Sequence, residues 1–221
     1  MKHSIEALLD IVHAHYPRGL DHDDQGYKRS DEVGRLAAAR RAAGADPRKW
    51  RALLQRLTGQ FPGRHVLDGS THLPSGELHA AWSGKVFLPR SANDGHVIGF
   101  LVSFLVPCYV VYSSRFVDDP VAGAPREQWH TRFAGDTCFA LPGGPDTPLG
   151  EPGKRQRQVI TFDFTPEEQP YAEWLAREIE DTWGYERMPP EIGKVAVPDV
   201  ATNLRPVGEA AIYDCLFSDD W

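Results

Sequence analysis

The stretch His96 to Val117, HVIGFLVSFLVPCYVVYSSRFV, constrains this chain more than any other, because so long a run of β-branched and aromatic residues has to be buried. It is broken once, by Pro107. Proline cannot donate to a ladder and is confined to strand ends, edges and bulges, so the run reads as two strands, about 97–106 and 108–117, with a change of direction between them. In the first, Ile98, Phe100, Val102 and Phe104 alternate with Val97, Leu101 and Leu105, so both faces are apolar, as in a central strand covered on both sides. The second is mixed, with Cys108, Val110, Tyr112 and Phe116 against Tyr109, Val111, Ser113 and Arg115, which leaves one face reaching water at the far end. A membrane span would need roughly 20 apolar residues. Here a proline, three serines and an arginine interrupt a shorter run.

Three helices are expected before this sheet. Ile5, Leu8, Leu9, Val12 and Tyr16 recur at three- and four-residue spacing and predict an amphipathic helix over 5–16, stopped by Pro17. A second helix starts after Ser30 as N-cap, runs through an alanine-rich segment and stops at Gly44. The third takes Asp46 as cap and Pro47 as its first helical residue, with Trp50, Leu53, Leu54 and Leu57 on one face. Strict alternation from Leu78 to Leu88 predicts a half-buried strand, joined by the turn 91–95 to the central strand as its antiparallel neighbour.

A further strand is expected at Val159–Phe164 and a long helix after it. Thr165 and Glu168 have capping-box spacing, Pro166 suits the first helical position, and Gly184 ends the segment. Tyr171, Trp174, Leu175, Ile179 and Trp183 form its apolar stripe. The tail adds two short strands, near Val195–Val197 and Ala210–Phe217. The elements together predict an α+β fold: three N-terminal helices, then a mainly antiparallel sheet covered on one face by a long amphipathic helix over about 166–183. Residues 1–221 read as one domain with a long loop or insertion at about 118–157, where glycine and proline cluster.

The formal charge of −7 argues against general nucleic-acid binding, which needs Lys and Arg to neutralise phosphates. The charge is also unevenly spread. Residues 1–60 carry a balance of +3, whereas residues 163–221 carry −10 and form an acidic pole. Cys108, Cys138 and Cys215 have neither CxxC nor regular spacing, so no disulfide framework or zinc site is implied and a reducing compartment fits. The N-terminus has acids and histidines where a secretory leader would have an apolar core, which points to the cytoplasm.

Candidate chemistry is sparse. Asp21, Asp23, Gln25, Gly26 and Glu32 stand at positions one, three, five, six and twelve of a segment that resembles an EF-hand calcium loop, and the resemblance implies calcium on Asp21, Asp23, Gln25 and Glu32. It departs from such loops at Lys28, where an aliphatic residue is usual, and Pro17 ends the incoming helix early. The better reading of the residues is a solvated acidic loop with no cofactor. His13 and His15 are two apart on a helix and point in different directions, so they do not share a metal. The Gly153-Lys154 segment lacks the spacing of a phosphate loop, and no GxSxG, HExxH or GxGxxG occurs. Cys108 is expected to be inert filler, Cys215 sits among acids that raise its pKa, and Glu178 is expected to be a paired, partly buried carboxylate. Arg40, Arg41, Arg48, Lys49, Arg51 and Arg56 read as solvated helix faces.

Two functions follow. The first is a non-catalytic protein-binding module that captures a basic partner through the acidic C-terminal surface, with Asp214, Asp219 and Asp220 steering and Trp221 anchoring. Bacterial immunity proteins that neutralise basic nuclease toxins work in this way, and the chain is similar to them in size and charge. The alternative is a small hydrolase-like enzyme whose site gathers His72, His79, His96 or His130 with a carboxylate near the 118–157 loop.

Overall fold

The computed structural model describes residues 3–71, 80–88, 96–118 and 156–217. The N-terminal part is helical: α1 (Ile5–His15), α2 (Gln25–Lys28), α3 (Asp31–Ala45) and α4 (Arg48–Gln60). Ser4 and Ser30 cap α1 and α3 by accepting the N–H of Ala7 (3.3 Å) and of Val33 (3.2 Å), which satisfies donors that a helix start otherwise leaves bare. The three expected helices are present. The acidic loop between the first two contains a further turn of helix, α2, nucleated where Tyr27 is buried and gives its hydroxyl to the carbonyl of Ala201 (3.1 Å).

A six-stranded, mostly antiparallel sheet follows: β1 (Val66–Asp68), β2 (Ala81–Phe87), β3 (Val97–Ser103), β4 (Cys108–Asp118), β5 (Gln156–Thr161) and the short β6 (Glu186–Arg187). Strands β1 to β5 lie in chain order, and β6 runs parallel to the start of β4. Every residue of β3 is buried, as its two apolar faces require. The strand stops at Ser103 and not at 106, because the Ser103 hydroxyl takes the N–H groups of Leu105 (3.1 Å) and Val106 (3.4 Å) and turns the chain before Pro107. Two glycines make room for rings on the next strand: a Cβ on Gly84 would collide with the Phe100 ring and one on Gly99 with the Tyr112 ring.

Both faces of the sheet are covered. Helix α4 and α5 (Gln169–Trp183) lie on one, packing Trp50, Leu53, Leu57, Leu175 and Ile179 on Ile98, Phe100 and Val111. On the other, Leu8 and Val12 of α1 meet Leu101, Val110 and Tyr112, together with Ile212, Leu216 and Phe217 of the C-terminal segment. Helix α5 begins at Gln169 and not at Pro166. The Thr165–Glu168 pair closes a turn ahead of it, with Glu168 taking the Thr165 N–H on its carboxylate (2.8 Å).

The tail departs from expectation. Residues Ala210–Phe217 form no strand; apart from one bridge between Ala196 and Ala211, they coil into the helix α7 (Ile212–Leu216), which follows the short α6 (Pro190–Gly193). Asp214 decides this by taking the Ala211 N–H (2.7 Å) at the helix start. All five residues of α7 are buried, so no polar face betrays the helical period. Tyr16 fastens this helix to α1 by donating its hydroxyl to the carbonyl of Cys215 at 2.8 Å.

Candidate functional site

The acidic pole has its clearest relief where α5 ends. Gly184 stands in the left-handed region (φ 69°), which only glycine enters without strain, and its N–H closes the helix on the Glu180 carbonyl at 2.7 Å. The chain then drops onto the start of β4. The Glu186 N–H bonds the Pro107 carbonyl (3.1 Å) and the Met188 N–H bonds that of Tyr109 (2.8 Å).

This turn of the chain opens a cleft of about 490 Å³ lined by Glu180, Gly184, Tyr185, Glu186, Arg187 and Pro189. Glu180 is held in place by the buried Tyr109, whose hydroxyl donates to Oε1 at 2.6 Å. Burial first, and then the Glu180 carboxylate, push the Tyr109 pKa far up, so this hydroxyl remains a donor. Arg187 is exposed along the cleft, and its guanidinium is engaged: Nη2 donates to the Val111 carbonyl (3.1 Å) and the group lies over the Phe164 ring at 5.3 Å. The cleft lining therefore sets two glutamates, a tyrosine ring and the carbonyl end of a helix, which favour a cation, beside the Arg187 guanidinium, which is already engaged by Val111 and Phe164.

Asp214, assigned to the interaction surface from sequence, is 8% exposed. Its carboxylate is occupied by the Ala211 N–H and by Arg205 (3.3 Å), so it holds α7 in place. Asp219, Asp220 and Trp221 lie outside the described residues. Glu180 and Glu186 were not singled out from sequence, because nothing in a linear reading brings the end of α5 against β4.

The other candidates are accounted for one by one. Asp21 accepts the Val207 N–H (3.2 Å) and Glu32 pairs with Arg35 (2.9 Å), while Gly26 lies inside α2. No group of three or more potential metal ligands occurs among the described residues. His13 donates from Nε2 to Asp199 (3.0 Å) while its Nδ1 accepts from Arg18 (2.7 Å), an arrangement that fixes the tautomer and ties α1 to the C-terminal segment. Burial raises the Asp199 pKa, but the hydrogen bond and charge of His13, a backbone hydrogen bond and the Arg18 charge together outweigh it and the net shift is downward. Glu178 is paired with Arg56 at 2.6 Å, and Arg48 with Asp46 at 2.6 Å. Cys108 and Cys215 are fully buried, and burial pushes the Cys108 thiol up to about 11.

Of the four histidines considered for an enzyme, His72, His79 and His130 fall outside the described residues. His96 is half-buried near the Glu168 carboxylate and helps to lower its pKa. Glu168 already receives the Ser113 hydroxyl and the Thr165 N–H. The Ser113 proton is thus directed to a carboxylate and not to an imidazole, unlike a nucleophile paired with its base.

No family model, curated protein or solved structure matches this chain.

Proposed function

We propose that this chain is a non-catalytic, cytoplasmic protein-binding module that captures a basic protein partner, in the manner of a bacterial immunity-type inhibitor of a toxin. The observation that carries the reading is the cleft at the end of α5, where Glu180, Glu186 and the Tyr185 ring converge beside helix carbonyls. A lysine or arginine entering it would meet charge, ring and helix end together, and the −10 balance of residues 163–221 would steer it there. Asp219, Asp220 and Trp221 keep their part in the proposal as steering charges and anchor. Asp214 is given up as a contact residue, since its carboxylate is engaged inside the fold.

The test is affinity purification of the tagged chain from its host at low and moderate salt, beside a Glu180→Gln, Glu186→Gln variant. The expected result is a stoichiometric basic partner that is lost as salt rises and depleted in the variant. Recovery of no specific partner, or equal recovery by the variant, defeats the reading.

A further inference from the structure

The outer edge of the sheet carries an inference that does not depend on the partner proposed above. Among the described residues β1 pairs with β2 alone. The register places Val66 opposite Val86 and Leu67 opposite Lys85, and the Phe87 N–H bonds the His65 carbonyl at 2.9 Å. In an antiparallel ladder hydrogen-bonded pairs alternate with non-bonded ones. His65 and Leu67 therefore turn their backbone groups toward β2, and Val66 turns both its N–H and its C=O outward, where neither has a partner among the described residues.

Side chains alternate too, so Arg64, Val66 and Asp68 share one face. It is the α4–α5 face: Arg64 donates to the Tyr171 hydroxyl (3.3 Å), Val66 packs against the core beneath α4, and Asp68 accepts from Trp50 Nε1 (3.0 Å). Beside this edge lies a groove of about 320 Å³ lined by Leu54, Gln55, Thr58, Val66 and Asp68.

The order cation, apolar residue, anion is complementary to itself under a two-fold axis. When a second β1 is laid antiparallel with Val66 facing Val66, Arg64 of each copy stands opposite Asp68 of the other. The two Val66 residues then exchange both outward backbone bonds, and the two grooves merge between facing α4 helices. We propose that this edge is the interface of a homodimer, with a second copy of this chain as its occupant and a two-fold axis through Val66. The ladder is short, because β1 has three residues and the Arg64 N–H is already bonded to the Phe61 carbonyl (3.1 Å). The charge pairs and the α4 contact must supply the rest, so the dimer is expected to be salt-sensitive.

The experiment is sedimentation equilibrium of the full chain from micromolar to millimolar concentration, with Val66→Pro and Arg64→Glu variants checked for native circular dichroism. Wild type should dimerise, and each variant should raise the dimer dissociation constant at least tenfold. Proline at Val66 removes the outward N–H without touching the bonds to β2. Mixing Arg64→Asp with Asp68→Arg should restore a heterodimer that neither forms alone. Should Asp68→Arg fail to fold through loss of its Trp50 bond, the first two variants decide. A wild-type chain that stays monomeric at millimolar concentration, or a dimer indifferent to both Val66→Pro and Arg64→Glu, overturns the proposal.

Discussion

Ser113 in the middle of β4 donates its hydroxyl to Oε1 of Glu168, which lies 55 positions later at the foot of α5, at 2.5 Å. The carboxylate is 3% exposed, and its second oxygen takes the Thr165 N–H at 2.8 Å. A helix start is thus pinned to the sheet by one ionised group whose bonds replace the water it has lost.

Acid should release that pin. Burial pushes the Glu168 pKa up, but the hydrogen bonds from Ser113 and Thr165 and the nearby His96 outweigh it, so the folded value lies below the ordinary 4.5. A carboxylate depressed in the folded state contributes stability that is complete above its unfolded pKa and lost as pH falls through its folded one. Urea midpoints measured from pH 7 down to pH 3 should fall below about pH 4.5, and less steeply in Glu168→Gln, which should also be less stable than wild type at pH 7. An identical pH profile in the variant would remove Glu168 from this role.

The ring-over-glycine contacts should tolerate no methyl. Gly84→Ala and Gly99→Ala each set a Cβ into the ring of Phe100 or Tyr112 and should cost about 1–3 kcal/mol in chemical denaturation. Gly44→Ala, at an exposed helical position with nothing within 4 Å, is the control and should be neutral or stabilising by up to about 1 kcal/mol.

Asp214 should behave as a structural carboxylate. Asp214→Ala removes the ion pair to Arg205 and the bond to the Ala211 N–H, both at a buried carboxylate, so a loss of about 3 kcal/mol is expected. The same change should leave partner capture by the folded fraction intact, which affinity purification can read beside the Glu180, Glu186 variant.

The thiols should be silent until the chain opens. With Cys138 replaced by serine, Cys108 and Cys215 should react with a thiol reagent at pH 8 only at the rate of unfolding, since both are fully buried and Cys108 titrates near 11. Its raised pKa also has a sign for stability: the contribution is complete below the thiol's unfolded pKa, ordinarily 9.0, and fades as pH rises toward the folded value. Rapid labelling of either thiol in the native state would contradict the packing described.

What the sequence by itself determined is whatever local spacing and burial dictate. The double apolar face of residues 97–103 could only be a central strand, the stripes at Leu8 and Val12 and at Trp50, Leu53 and Leu57 could only be helix faces, and Ser30 could be recognised as a cap from its position. The α+β class followed from these. Tertiary structure decided the rest, because it depends on contacts between residues far apart in the chain. Residues 212–216 are buried all round and carry no period, so only the Asp214 bond and the cover given by α1 make them a helix. Strands β1 and β6 are too short to show alternation and exist because β2 and β4 offer them partners. The candidate cleft belongs to this second group: Glu180 becomes part of a site only when Tyr109, 71 positions earlier, reaches it from the sheet. Asp214, which looks like surface charge in the sequence, goes inside because Arg205 and a helix start are waiting there.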